Sequence, residues 1–128
     1  MSRCDAQPRR GAVAMAALLL GSVVCAQAAD YPEFEGDTMA LGRSTWLANC
    51  ETCHAYGVAG APLYSDSEEW ATRSQKGVDT LYKHAIEGFF GPRGTMMPAR
   101  GANDSLSDEE VSAAVDYMLR LAADSTTP

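Results

Sequence analysis

Apolar residues recur at helical spacing along two segments in the second half of the chain. In the first, 78–87, an apolar stripe is followed at once by Gly88, a residue type that commonly ends a helix. The stripe consists of Val78, Leu81, Ala85 and Ile86. This spacing predicts an amphipathic helix over 78–87 with the apolar face turned toward a core.

The second segment, from Ser107 onward, predicts the best-defined helix of the chain. Ser107 and Glu110 match a capping box, and Leu106 with Val111 supplies the accompanying hydrophobic staple. Acidic residues in the first turn also suit the positive end of the helix dipole. The apolar stripe of this helix consists of Val111, Ala114, Val115, Met118, Leu119 and Ala122. Residues 124–128 are mostly polar and predict a frayed tail.

An earlier helix is predicted over 38–49, with Asp37 as its N-cap residue. Gly42 lies inside this helix, where a glycine costs about 1 kcal/mol relative to alanine. We therefore expect another part of the backbone to approach closely at Gly42. Trp46 lies one turn later and is predicted to pack in the core.

Glycine and proline divide the remaining segments. Residues 55–67 show little periodicity and predict a loop, and 66–75 predicts a short helix with Trp70 on its inner side. The stretch 91–101 is dense in turn-forming residues, which argues against a helix or a central strand there. Together the patterns predict an all-α fold of about four helices.

The N-terminus has the pattern of a secretory signal peptide. Three arginines lie among the first ten residues, 11–24 is an apolar run without a charge, and Ala26-Gln27-Ala28 is a small-x-small cleavage site. We predict that residues 1–28 are removed by cleavage near Ala28. The alternative is an uncleaved membrane anchor, but a spanning helix needs about 20 apolar residues and this run is shorter.

Export through such a signal predicts a periplasmic protein. The exported chain would begin with an acidic lead-in over 29–36, which Pro32 interrupts. A single small domain is expected over 37–123, because the remaining length supports only one core.

The exported chain is strongly acidic. From Ala29 onward it carries 16 acidic and 7 basic residues, a net charge of −9, whereas the full 128-residue chain carries −7. This charge argues against nucleic acid and anionic membrane surfaces as partners. The mature form is expected to have no membrane span and to be a monomer or weak dimer.

Cysteine spacing predicts the cofactor. Cys4 and Cys25 leave with the signal peptide, so the exported chain keeps Cys50 and Cys53, which with His54 form C-x-x-C-H. This motif is the attachment site of a c-type haem. Two thiols add to two vinyl groups of one porphyrin, and the iron then lies over the adjacent imidazole. We predict one covalent haem c, with His54 as the proximal ligand.

Three other uses of these residues are weaker. A thioredoxin-like dithiol requires C-x-x-C beside a βαβ pattern, and the chain shows no such strands. A zinc site could use Cys50, Cys53, His54 and His84, but His54 directly abuts Cys53 and His84 lacks a second histidine at zinc spacing. A disulfide within C-x-x-C would close a very short, strained loop.

Other residues are candidates for completing the haem site. A haem-ligating imidazole needs an acceptor for its other N–H, and we expect this to be the carbonyl of Pro62. Met96 and Met97 lie in a turn-rich loop, where one thioether could face the open side of the iron. The backbone restriction on a residue before Pro98 favours Met97. His84 is an alternative axial ligand, although its place off the apolar stripe favours solvent exposure.

With these residues placed, the chain resembles the class I c-type cytochromes, most closely the small bacterial cytochrome c-five subgroup. The resemblance covers about 37–122. The residues that carry it are Gly42, Trp46, Cys50 to His54, 57–62, 79–82, 84–89, Met97-Pro98, 106–111 and 113–118. The chain departs from the family in its ligand loop, which has an extra 91–94 segment and a second methionine beside Met97.

The resemblance implies helices wrapped around one covalent haem, with the first and last helices crossing at Gly42 and Tyr117. It also implies His54 as the proximal ligand, Met97 as the distal ligand, and the Pro62 carbonyl as the group that steadies the histidine.

The function expected from this resemblance is that of an electron carrier, not an enzyme, exchanging single electrons with redox partner proteins. Two alternatives stay open. If neither Met96 nor Met97 binds the iron, an open iron could react with peroxide or bind small gases. The chain could also be the dedicated haem subunit of a dehydrogenase or oxidase.

Overall fold

The computed structural model describes residues 30–92 and 94–125 of the chain. The predicted signal peptide, its cleavage site and the end of the predicted tail, 126–128, lie outside the described residues. Within the described part, each helix is too short or too polar to span a membrane.

Helices make up most of the described chain. They are α1 (Asp37–Thr45), α2 (Glu51–His54), α3 (Ser67–Ser74), α4 (Val78–Glu87) and α5 (Asp108–Asp124). Two short strands, β1 (Phe89–Phe90) and β2 (Met96–Met97), pair antiparallel with Phe89 opposite Met97. The mainly helical class is confirmed, but the 91–101 segment contains more regular secondary structure than predicted. It contains β2 and part of a 3₁₀ turn at Ala99–Ala102.

The first helical segment differs from the prediction at both ends. Gly36, not Asp37, is the N-cap residue, and Asp37 is the first residue of α1. After Thr45 the chain makes a π-helical turn, Trp46–Cys50, which leads directly into α2. An extra residue in a helical turn rotates the next part of the helix by about 100°, the share of one residue in a 3.6-residue turn. The π turn therefore sets the direction in which the C-x-x-C-H segment leaves α1.

The helices α1 and α5 cross in direct contact at Gly42. A Cβ atom built on Gly42 would overlap the carbonyl oxygen of Ala113 and lie 2.9 Å from Cβ of Tyr117. No side chain fits in this space, which explains a glycine inside a helix. The predicted crossing of the first and last helices is confirmed, and Tyr117 is fully buried beside it.

The predicted apolar faces of α4 and α5 pack together, with one exception. Leu81 and Ala85 from α4 form a buried cluster with Val111 and Val115 from α5. Val78 was predicted on the same face but is exposed. It is the first residue of α4, one turn before Leu81.

The start of α5 has the predicted capping box. The backbone N–H of Ser107 donates to Glu110 Oε2 at 2.8 Å, and the backbone N–H of Glu110 donates to Ser107 Oγ at 3.2 Å. The hydrogen bonds from the Ser107 backbone and hydroxyl lower the pKa of Glu110. The box satisfies donors that would otherwise be unpaired at the helix start.

Tyr31 and Phe34 pack on the core, although the sequence indicated only an acidic lead-in. Tyr31 is buried, and its ring meets the edge of the Trp46 ring with 5.9 Å between centroids. Its hydroxyl donates to Glu51 Oε1 at 3.1 Å. Burial and this carboxylate acceptor raise the pKa of Tyr31. The segment is therefore anchored beside the C-x-x-C-H motif, which contains Glu51.

Helix side chains also bond to the backbone of this segment. Arg43 donates to the carbonyl oxygen of Tyr31 at 3.1 Å, and the Tyr117 hydroxyl donates to the carbonyl oxygen of Pro32 at 2.7 Å. The compact unit of the structure begins at Tyr31, six residues before the expected domain start at residue 37. Local polarity could not show this, since the contacts join residues far apart in the chain.

The packing of Tyr31 predicts a large loss of stability when its ring is removed. Tyr31→Ala should lower the free energy of unfolding of the haem-loaded protein by about 3–5 kcal/mol, the usual loss for truncating a buried aromatic residue. Tyr31→Phe keeps the ring and should lose only about 1 kcal/mol with its hydrogen bond. Chemical denaturation measures both. An alanine variant as stable as the wild type would show that residues 31–34 do not belong to the core.

Candidate haem-binding site

The helices and loops line a cavity of about 350 Å³. Its walls come from the C-x-x-C-H segment, the loop after it, α3, α4, the β1–β2 hairpin and α5. The lining residues include Cys53, His54, Val58, Pro62, Trp70, Arg73, Leu81, His84, Met96, Met97, Val115 and Met118. Most of these side chains are apolar, so a group bound there would contact mainly hydrocarbon.

His54, the last residue of α2, is buried and oriented by one hydrogen bond. Its Nδ1 lies 2.9 Å from the carbonyl oxygen of Pro62. Because a carbonyl can only accept, Nδ1 carries the proton and Nε2 of the neutral ring keeps its lone pair. Burial lowers the pKa of His54, the bond to Pro62 partly offsets this, and the charge of Arg73 lowers the pKa further. The ring is therefore neutral at pH 7, the form that binds a metal.

Cys50 and Cys53 are both free, half-buried thiols. Cys53 lines the cavity, and Cys50 packs against the buried cluster around Trp46 and Tyr117. Burial and the neighbouring Cys53 raise the pKa of the Cys50 thiol to about 11. The structure leaves both thiols free to bond to another group.

Met96 and Met97 both line the cavity, but their surroundings differ. Successive side chains of a strand point to opposite faces. Met97 is half-buried and packs against the cluster that joins α4 to α5. Met96 is 52% exposed. Of the two thioethers, that of Met97 is the one held by core packing.

The structure corrects the expectation for His84, which is not a solvent-facing side chain. It is half-buried, its ring stacks on Phe89 with 3.9 Å between centroids, and it lines the cavity. Burial and the charges of Lys76, Arg73 and Lys83 lower the pKa of His84. The apolar stripe of α4 did not predict that His84 lies at the cavity wall. The contact that holds its imidazole there comes from Phe89, which belongs to β1 and not to α4.

Two residues of α3 contribute to the wall without having been predicted as site residues. The Trp70 indole N–H donates to the carbonyl oxygen of Leu63 at 2.8 Å, which fixes the ring at the cavity. The Arg73 guanidinium lies 5.6 Å from the Trp70 ring centroid and pairs with Glu69 at 2.6 Å. Trp70 and Arg73 are three residues apart, so helical spacing could have indicated their shared face.

These residues fit a covalently attached haem. One apolar cavity is lined by part of the attachment motif, a neutral imidazole with an available lone pair, and two thioethers. Imidazole nitrogen and methionine sulfur are ligands that haem iron accepts. Among residues 30–92 and 94–125, no group of three or more His, Cys, Asp or Glu side chains is arranged to hold a metal ion.

Comparison with known proteins identifies the family. A family model described as cytochrome c oxidase, cbb3-type, subunit III matches residues 37–118. The chain belongs to this family and is a class I c-type cytochrome. The cofactor is covalently bound haem c, and Cys50 and Cys53 fit its attachment motif. A mono-haem electron-transfer cytochrome is thereby established, and the thioredoxin-like alternative is excluded.

Individual relatives place the cytochrome near the c5 group. It is 45% identical over 80 residues to cytochrome c-555 of Chlorobaculum tepidum, covering 62% of this chain and 73% of that protein. It is 34% identical over 71 residues to cytochrome c5 of Azotobacter vinelandii, covering 54% and 80%. A chain in the crystal structure of an electron transfer complex of nitrite reductase with cytochrome c matches with a TM-score of 0.56 and 34% identity. This match covers 64% of the present chain and 94% of that one.

Proposed function

We propose that this cytochrome is an exported, periplasmic electron carrier and not an enzyme, with His54 and Met97 as the axial ligands of its haem iron. The observation that carries the proposal is that His54 and Met97 line the same apolar cavity. His54 presents a neutral imidazole. Met97 packs against the core, which keeps its thioether in one position, as is needed for a residue that stays bound to the iron.

Each residue has a distinct part in this function. When bound, the haem supplies an iron that takes up and returns one electron. His54 contributes a nitrogen lone pair, and Pro62 keeps the ring in one orientation through the bond to Nδ1. Met97 contributes a thioether, which together with histidine raises the reduction potential. With both axial positions filled, no coordination site remains for a substrate.

The surface near the cavity suits contact with a redox partner protein. Phe90 and Met96 in the hairpin and Val58 in the loop after α2 are exposed large apolar side chains. Val58 and Met96 also line the cavity, so a protein bound there would lie close to the haem. The neighbour solved in an electron transfer complex with nitrite reductase supports a protein as the electron donor or acceptor.

A second candidate function comes from the description of the matching family. That description names a subunit of a cbb3-type cytochrome c oxidase. The chain could accordingly be the haem subunit of one oxidase and not a diffusing carrier. The small relatives named cytochrome c-555 and cytochrome c5 favour the carrier.

Ligand binding by the purified wild-type protein tests the carrier against an open-iron enzyme. We expect reversible one-electron oxidation and reduction, and a weak far-red absorption band from methionine-bound ferric haem. Carbon monoxide added to the reduced protein should leave the spectrum unchanged, because Met97 already fills the distal position. Rapid carbon monoxide binding without the far-red band would show an open iron and support the peroxide- or gas-reactive alternative.

Fractionation of cells that express the full chain tests the other parts of the proposal. Haem-stained protein should appear in the periplasmic fraction, with a mass corresponding to a start at or near Ala29 plus one haem. Size-exclusion of native extract should elute it as a small protein. Elution with a large oxidase would contradict the carrier proposal in favour of the subunit.

A further inference from the structure

The backbone directly after Met97 and Pro98 makes a left-handed turn. Arg100, Gly101 and Ala102 have successive φ angles of 52°, 63° and 65°. Glycine adopts this region freely, but arginine and alanine do not, and left-handed residues in proteins normally occur singly. Such a conformation persists only where the surrounding structure imposes it, and it is commonest at functional sites. Contacts outside the turn must therefore hold it.

The Arg100 side chain ties the turn to the start of α5. Its Nη1 donates to the carbonyl oxygen of Leu106 at 2.8 Å, and its Nη2 donates to Asp108 Oδ1 at 2.6 Å. Only 24% of this side chain is exposed. A guanidinium that bonds to two acceptors through its rigid fork is fixed in one orientation, so the backbone of Arg100 is restrained as well.

A pair of asparagines ties the turn to the haem-attachment segment. Asn103 Nδ2 donates to Asn49 Oδ1 at 2.8 Å, and Asn49 Nδ2 donates to the carbonyl oxygen of Thr45 at 3.1 Å. The turn also packs closely here, because a Cβ atom built on Gly101 would lie 3.2 Å from the backbone oxygen of Asn49. Asn49 directly precedes Cys50, so the loop is bonded to the segment that carries the attachment motif.

The first part of the loop packs against the end of α4. A Cβ atom built on Gly88 would lie 3.1 Å from both the Ala99 nitrogen and the Met97 carbonyl oxygen. The loop from Met97 to Ala102 is therefore held on three sides, by α4, by α5 and by the attachment segment. Held in this way, the loop leaves Met97 little freedom to move away from the cavity.

We propose that three residues keep the thioether of Met97 on the iron by holding the loop in its left-handed turn. These positioning residues are Arg100, Asn49 and Asn103. The inference rests on the proposed ligation by Met97. When Met97 leaves the iron, the loop leaves the cavity wall and the turn relaxes to an ordinary conformation. The bonds of Arg100 and Asn103 oppose this opening, whereas the backbone strain at Ala102 favours it.

Imidazole added to the ferric, haem-loaded protein measures how fast Met97 leaves the iron. Imidazole binds only after the thioether has left, so at high imidazole concentration the rate of binding reaches the rate of Met97 dissociation. Arg100→Gln should raise this limiting rate about tenfold, the effect of losing one hydrogen bond of a charged group. Arg100→Lys keeps one charged donor and should give an intermediate rate.

Two further variants act on the turn in opposite directions. Asn49→Ala removes the acceptor of Asn103 without changing the loop itself, and it should raise the limiting rate several-fold. Ala102→Gly keeps the bonds of Arg100 and Asn103 and relieves a strained residue, so it should lower the rate several-fold. A loop that is merely loosened by substitution would release Met97 faster in both variants.

Arg43 on α1 provides a matched control for Arg100. It is also half-buried and also donates to a backbone carbonyl, that of Tyr31 at 3.1 Å, and it lies 3.9 Å from the exposed carboxylate of Glu33. Arg43 is not among the described residues that line the cavity. Arg43→Gln should therefore lower the stability measured by chemical denaturation, as Arg100→Gln does, but leave the limiting rate near that of the wild type.

A limiting rate in Arg100→Gln equal to that of the wild type, or matched by Arg43→Gln, would overturn the inference. If Arg100→Gln does not accumulate as folded protein, Asn49→Ala and Ala102→Gly decide. Unchanged rates in both, or changes of the same sign, would then overturn it.

The far-red methionine band separates this inference from the proposed ligation. A wild-type protein without the band would overturn the ligation by methionine, and the inference with it. A wild-type protein that shows the band, with variants whose rates do not change as expected, would overturn the inference alone.

Discussion

Replacing Met97 by alanine should shift the redox equilibrium about a hundredfold or more toward the ferric form, about 120 mV for one electron. The far-red band should disappear, and carbon monoxide or cyanide should bind. The physical reason is the loss of the thioether that stabilises ferrous iron and closes the distal position. Of the two candidate thioethers, that of Met97 packs against the core cluster. Redox titration and ligand-binding spectra measure the three effects.

Two control variants separate ligation from packing. Met97→Leu keeps most of the side-chain volume but removes the sulfur, so it should show the same spectral change with less loss of stability. Met97→Ala should also lose about 2 kcal/mol or more of stability, since it truncates a packed side chain. Met96→Ala should leave the potential, the band and the ligand binding near wild type, because Met96 is mostly exposed.

The outcome of the two alanine variants locates the distal ligand. If Met96→Ala opens the iron and Met97→Ala does not, the ligand is the neighbouring methionine. If neither variant changes the spectrum, His84 becomes the leading candidate, because it also lines the cavity. In that case the proposed histidine and methionine ligation is wrong, although the electron-transfer family is unaffected.

Adding a side chain at Gly42 should cost more stability than any other single methyl group added to α1. Gly42→Ala places its Cβ against the Ala113 carbonyl and within 2.9 Å of Tyr117 Cβ. Because backbone atoms cannot turn away as a flexible side chain can, α1 and α5 must separate. We expect a loss of about 3 kcal/mol, at the upper end of the range for overpacking. Gly42→Leu should lose at least as much.

Denaturation of the haem-loaded variants measures these losses. Ser44→Ala is the matched control, because it places an alanine on the exposed side of the same helix. Its stability should change by less than about 0.5 kcal/mol, as is usual for surface substitutions. In an unstrained helix Gly→Ala would stabilise by about 1 kcal/mol. A Gly42→Ala variant at or above wild-type stability would mean that the close contact does not exist in solution.

The electrostatic consequences of burial could not be predicted from local sequence. Lys83 and Arg73 both occur in helices with a glutamate four residues away. Only the packing of α3 against the cavity brings Arg73 beside the haem site, whereas Lys83 stays in solvent. The same holds for His84, which its helical stripe placed in solvent and which the hairpin residue Phe89 holds at the cavity wall.

The sequence by itself determined the cofactor, the helical class and several element boundaries. C-x-x-C-H is local chemistry, because the two cysteines and the histidine lie within five consecutive residues. The α4 helix has its predicted bounds, and the Ser107–Glu110 box begins α5. Caps and periodic stripes act over a few residues, so they are visible without a fold. The unfavourable glycine at position 42 also indicated a close contact, although only the family resemblance indicated its partner.

The tertiary structure alone decided features that join distant residues. Tyr31 belongs to the core because its ring meets Trp46 and its hydroxyl meets Glu51, twenty residues away. The π turn at Trp46–Cys50 changes the direction of the attachment motif, and an extrapolated 3.6-residue period does not contain that change. The packing of α3, α4 and the hairpin around one cavity sets which charged groups and which thioethers line the haem site. These depend on burial and on long-range contacts, which a one-dimensional pattern of residue types does not specify.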